Sequence, residues 1–126
     1  MAIKLSEIAD AIDMNCEAYA DLTTGEVILI LDGIDEIELD EEHDIRPIFF
    51  EYNVGYKAME EFIESLGDDS RTDPLWRAIS GQGAFGRFRT AIDILDMEKE
   101  WYSFKEEYYF RKAKAWCEDE GIDYSE

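Results

Sequence analysis

The chain has 126 residues, a length suited to one folded domain that buries roughly two-thirds of its unfolded surface. Hydrophobic residues make up 46% and aromatics 13%, with 8 Gly and 2 Pro, which excludes a disordered, collagen-like or low-complexity chain despite 35% charged residues. A formal net charge of -20, from 32 acidic against 12 basic residues, argues against direct binding to nucleic acid or an anionic membrane, because counterion release needs clustered Lys and Arg.

The first periodic stretch carries Leu5, Ile8, Ala9 and Ile12 at helical spacing and predicts a helix over about 6–14, with Ser6 placed to cap its first amides. Two extended runs follow, 18–22 and 26–31, separated by Thr23-Thr24-Gly25, where glycine supplies the positive φ of a tight turn; this is a hairpin. Residues 27–31 are apolar at every position, which predicts a strand covered on both faces or central in a small sheet. From Asp32 to Asp44 carboxylates dominate, and their mutual repulsion predicts a solvated loop or edge segment. Residues 46–52 then read as a third strand, with Pro47 confined to its start or to a sheet edge.

Tyr56, Met59, Phe62, Ile63 and Leu66 recur at three- and four-residue steps and stop at Gly67, predicting a helix over 54–66. Asp73-Pro74, a side-chain cap followed by a first-turn proline, opens a short helix that runs to Gly81. After Gly81-Gln82-Gly83, the residues Ala84, Phe85, Phe88, Ala91, Ile92 and Leu95 form a helical stripe, with Phe85 and Phe88 docking on the core. The last helix runs from Glu98 to about Glu120 with no breaker before Gly121. Trp101, Phe104, Tyr108 and Ala115 share one of its stripes and Tyr102, Tyr109 and Trp116 the next, a wide aromatic face that core or partner must cover. The expected architecture is a single α+β domain over 1–126, a small antiparallel sheet covered by about five helices.

Catalytic signatures are scarce. Cys16 and Cys117 lie far apart without a Cys-x-x-Cys pair, which fits a reducing compartment and gives neither a disulfide framework nor a zinc site. An EF-hand loop needs glycine at its sixth position, and in the run that starts at Asp32 that place is held by Ile37, so no metal site is assigned. His43, the sole histidine, sits between Glu42 and Asp44 and reads as a protonated surface residue rather than a general base. No nucleophile elbow or phosphate-binding lysine loop occurs, and no cofactor or catalytic residue is assigned. The N-terminal residues lack an apolar signal core and the longest aliphatic run, 27–31, is too short to span a bilayer, so a cytoplasmic location is expected.

Two features carry functional expectations. The segment Gly81-Gln82-Gly83-Ala84-Phe85-Gly86-Arg87-Phe88-Arg89 feeds a glycine-rich turn into a helix start, so Gly81, Gly83, Arg87 and Arg89 form a candidate anion- or small-ligand-binding set. The competing reading is structural: Gly81 ends one helix and Gly83 permits a tight reversal. Charge asymmetry is the second feature, since residues 1–70 hold 3 basic and 20 acidic side chains whereas residues 71–114 hold 9 basic and 7 acidic. So negative a half can merely keep the protein soluble, or it can steer a basic protein partner or imitate the phosphate field of nucleic acid. The main expectation is a non-enzymatic protein-interaction module with a basic partner. The alternatives are the ligand-binding turn and a carboxylate- or metal-dependent enzyme, and the sequence sets no oligomeric state.

The order of landmarks also carries a resemblance. The Thr24-Gly25-Glu26-Val27 turn, the Pro47 strand, the Tyr56-Lys57-Ala58-Met59 helix, the run from Leu75-Trp76 through Gly83-Ala84-Phe85, and Trp101-Tyr102 with Ala115-Trp116 together resemble the bacterial uncharacterised protein family 0158. The resemblance implies a small intracellular α+β protein and brings no catalytic residue, cofactor or substrate. Gln82 and Gly86 stand where such relatives often carry basic residues, and Arg46 where an apolar residue is usual.

Overall fold

The computed structural model describes residues 2–15, 17–30, 42–51 and 53–126. Its elements, in chain order, are β1 (Ile3–Lys4), α1 (Leu5–Met14), β2 (Glu17–Asp21), β3 (Glu26–Ile30), β4 (Ile45–Pro47), α2 (Val54–Ser65), α3 (Thr72–Ala78), α4 (Ala84–Ile94), α5 (Glu98–Glu120) and β5 (Tyr124–Ser125). This is an α+β fold: helices, a three-stranded antiparallel sheet and a separate parallel strand pair. The chain divides into two compact units, Met1–Tyr52 with Tyr109–Glu126, and Asn53–Tyr108.

In the first unit, β1 pairs in parallel with β5, Ile3 opposite Tyr124, and leads directly into α1. That junction explains why Ser6 does not cap: the helix already begins at Leu5, Lys4 occupies the cap position, and no side-chain cap bond forms. Leu5, Ile8, Ala9, Ala11 and Ile12 make the buried face, and Asn15 closes the helix at φ 54 with its amide on the Ile12 carbonyl. Beyond α1 the hairpin forms as expected, β2 antiparallel to β3 with Tyr19 opposite Ile28, and Gly25 takes φ 81.

Strand order corrects one expectation. Among the described residues the sheet runs β3-β2-β4, so β2 rather than the apolar run is central, and Val27 to Ile30 are half-buried rather than enclosed. Strand position is set by pairing: both neighbours reach β2, whose small Ala18 and Ala20 are fully buried. The third strand is also shorter than 46–52. β4 ends at Pro47 after pairing Tyr19, and Ile48 gives one further bond to the Ala18 carbonyl. Phe49, which the same register would set opposite Glu17, stands 70% exposed. Pro47 accordingly lies at the end of β4 rather than its start, and among the described residues β4 is at the edge of the sheet. The acidic loop expected over 32–44 lies mostly outside the described residues, which resume at residue 42.

α5 closes in a Schellman arrangement: Gly121 at φ 67 bonds Glu118, and Ile122 bonds the Cys117 carbonyl while both apolar side chains are buried. Of the two stripes expected on α5, Tyr108, Tyr109 and Trp116 are buried, with Ala113 and Cys117 beside them, whereas Tyr102 and Ala115 face solvent.

The second unit is built around an aromatic cluster. Phe62 of α2 meets Phe88 of α4 and Trp101 and Phe104 of α5 edge-on, with centroids 6.3, 5.3 and 5.4 Å away. Met59, Ile63, Leu75, Ile79 and Ile92 fill the space around these rings. Two local expectations change here. Asp73 does not cap α3, because Asp69 organises the approach by accepting the Arg71 amide and the Arg71 guanidinium, and the helix starts at Thr72. Phe85 does not dock on the core: it is 61% exposed, on the flank of the face defined by Ala84, Phe88 and Ile92.

Phe62→Ala removes the ring shared by all three partners and is expected to lower stability by about 3–5 kcal/mol. Urea unfolding followed by tryptophan fluorescence measures it; a loss below about 1 kcal/mol would mean that the cluster is not the core of this unit.

Candidate functional site

The glycine-rich turn is organised by an arginine that reaches backwards. Arg87, in the first turn of α4, donates from Nε to the Ala78 carbonyl at 2.9 Å and from its two terminal nitrogens to the carbonyls of Gln82 and Ser80. These acceptors lie at the end of α3 and in the turn after it, where a helix leaves its last carbonyls without intrahelical donors and presents the negative end of its dipole. The guanidinium therefore serves as a charged cap. A Cβ on Gly83 would stand 3.2 Å from an Arg87 nitrogen, and Gly83 and Gly81 hold φ 76 and 81, so both glycines shape the cradle. Arg89, one turn from Phe85, is exposed on α4. Thus Gly81, Gly83 and Arg87 are brought together, while Arg89 remains exposed on α4. What the turn offers an anion is that helix start and Arg89, with the Arg87 charge already directed at carbonyls.

The described acidic residues of the first unit, Asp21 apart, are displayed rather than packed. By sequence this unit carries 20 acidic against 5 basic side chains, and among its described residues Asp21 is the one buried acid. Glu7, Asp10 and Asp13 follow one another at three-residue steps on the solvent face of α1. Glu118, Asp119 and Glu120 crowd the last turn of α5, and Asp123 and Glu126 follow, all exposed. Placing three carboxylates at the negative end of a helix dipole is unfavourable for folding. Arg46 offsets part of that field, standing 3.8 Å from Glu120 and 3.1 Å from Asp44.

The structure also assembles a pair that the sequence does not reveal. His43 Nδ1 lies 2.6 Å from Asp21 Oδ2, and the other oxygen of that carboxylate accepts the Thr23 and Thr24 amides at 3.0 and 3.3 Å. Three donors hold Asp21 below the usual carboxylate range, the His43 hydrogen bond contributing most, against the opposing effect of burial. The Asp-x-Thr-Thr-Gly order does signal the turn, since an aspartate accepting amides two and three residues on is a recurrent turn device. Pairing with a histidine 22 residues away leaves no local trace.

Other reactive groups are quiet. Cys117 is fully buried, and burial, followed by repulsion from Glu118, pushes its thiol up to about 11. Burial, with Asp13 adding to it, pushes the Tyr109 phenol up to about 12. Cys16 lies outside the described residues. Among the described residues no group of three or more His, Cys, Asp or Glu is placed to hold a metal ion, and no helix is long and apolar enough to cross a membrane.

Comparison with known proteins found no match to any family model, curated protein or solved structure.

Two outcomes are expected from this geometry. Gly83→Ala should destabilise by about 1–2 kcal/mol because an L side chain strains at positive φ, whereas Gly86→Ala, in open helical space, should stabilise by about 0.5–1 kcal/mol. Equal effects of the two changes in a thermal-unfolding comparison would contradict the cradle. Cys117 should resist a thiol reagent in the native protein at neutral pH and react promptly once urea unfolds it; prompt native labelling, located by peptide mass, would contradict its burial.

Proposed function

We propose that this protein is a non-enzymatic interaction module of the cytoplasm, whose acidic first unit engages a basic protein partner. The observation that supports the reading most is the display of carboxylates. Apart from Asp21, every described acid of that unit faces solvent, and Glu7, Asp10 and Asp13 form a ridge that rises about 4.5 Å per carboxylate along α1. A ridge of this kind concentrates negative potential, steers a basic surface into contact and presents it with a charge pattern akin to a phosphate backbone. Direct binding to nucleic acid runs against the same field.

The anion-binding reading of the turn at 81–89 ranks second. It rests on Arg89 and the first amides of α4, and Arg87 is already committed to three carbonyls. Kinship with the bacterial uncharacterised family 0158 belongs to the same proposal, on the ordered sequence landmarks, and adds no activity to it.

Affinity capture from a nuclease-treated bacterial lysate, read by mass spectrometry, tests the proposal with the triple variant Glu7→Gln, Asp10→Asn, Asp13→Asn beside the unaltered protein. A basic protein should be retained at low salt, released as ionic strength rises past about 0.1 M, and retained less by the triple variant. Retention indifferent to both salt and the variant would contradict it.

A further inference from the structure

The Asp21 and His43 pair goes beyond a surface that binds by charge, because it joins a buried carboxylate to a group that titrates near neutrality. The Asp21 side chain is 6% exposed and that of His43 is 35% exposed, so solvent reaches the imidazole while the carboxylate is left to protein partners. Around them the backbone closes a small corner. The Leu22 amide donates to the Asp44 carbonyl at 2.8 Å, and the Asp44 amide donates to the Thr23 hydroxyl at 2.9 Å. Residues 42–44 thus meet the β2–β3 turn through backbone, hydroxyl and imidazole together.

We propose that Asp21 and His43 form a proton-operated clamp: protonated His43 holds residues 42–44 against the β2–β3 turn, and loss of that proton loosens the corner.

The charges around the imidazole favour the protonated form. Besides Asp21 on β2, the described elements bring Glu26, directly opposite Asp21 on β3, then Glu42 and Asp44 on either side of His43 in the chain, and Arg46 on β4. Arg46 is directed at Asp44 and Glu120. In the clamp the imidazolium is the cation hydrogen-bonded to the buried carboxylate, its Nδ1 2.6 Å from Asp21 Oδ2. When it loses its proton, Asp21 keeps its charge with neutral donors alone, a costly state for a desolvated anion. The sign follows from linkage. A histidine whose folded form holds its proton more tightly than the unfolded chain stabilises fully below about pH 6.5 and loses that contribution as pH rises through the folded midpoint. Each unit by which the midpoint is raised corresponds to a tenfold change in the opening equilibrium of the corner. Asp21 itself remains ionised across this window, being held below the usual carboxylate range. The clamp is independent of whether the acidic face binds a partner.

The test is a proton NMR titration of the His43 imidazole from pH 5 to 9, with amide exchange at Thr23, Thr24 and Asp44 corrected for intrinsic base catalysis. The clamp predicts a midpoint higher in the native protein than in Asp21→Asn and higher than in the urea-unfolded chain, a comparison that stands even where Asp21→Asn does not fold. Protection at the three amides should fall as His43 deprotonates, and should lose this pH dependence in His43→Gln. Equal midpoints in folded and unfolded protein would overturn the proposal. So would the same pH-dependent loss of protection in His43→Gln.

Discussion

Thirty-two carboxylates in 126 residues must each be hydrated or compensated, and this constraint organises the molecule. Both helical cores are apolar, and the described acids lie on solvent faces or beside specific donors. Asp21 is the exception that shows the rule at work, since its burial in the central strand requires two backbone amides and an imidazole. Asp69 meets the same need with less burial: bonds from the Arg71 guanidinium and amide hold its carboxyl at about 2. The other described carboxylates of the first unit face outwards, and their field is what the proposed function uses.

The second unit answers a different physical demand. Its helices are short, and α3 has seven residues, too few for an isolated helix to persist in water. Tertiary contacts supply what local propensity does not. The Phe62 ring gathers α4 and α5 edge-on, the Tyr56 hydroxyl donates to the Ile79 carbonyl at 2.8 Å, and Arg87 caps the end of α3. The basic residue most suggestive of an anion site is in this way part of the scaffold, and the glycines around it make room for a guanidinium.

What the sequence made legible was whatever is encoded locally. Gly67 and Gly121 mark helix ends because both adopt positive φ, and the 23 residues of α5 have no breaker within them. The hairpin follows from Gly25 and the residues preceding it. What stayed hidden depends on distant partners or on a residue in an unusual role. The β1–β5 pair joins two residues near each end of the chain, too few to leave a pattern. The central place of β2 follows from which strands pair with it, and its apolar neighbour β3 is the more conspicuous sequence. α4 stops at Asp96 in the left-handed region, at φ 56, where glycine would have announced the cap. Arg87 and His43 were both visible as residues in their segments, but their partners are fixed by tertiary structure.

The acidic first unit, rather than the glycine-rich turn of the second, is the proposed binding surface. Its most direct test is amide chemical-shift mapping with a short oligoarginine peptide at about 0.02 M and about 0.2 M salt. Shifts are expected at Glu7, Asp10 and Asp13 on α1 and over 118–126, largely abolished at the higher salt. Shifts centred on 81–89, or shifts that ignore salt, would contradict it.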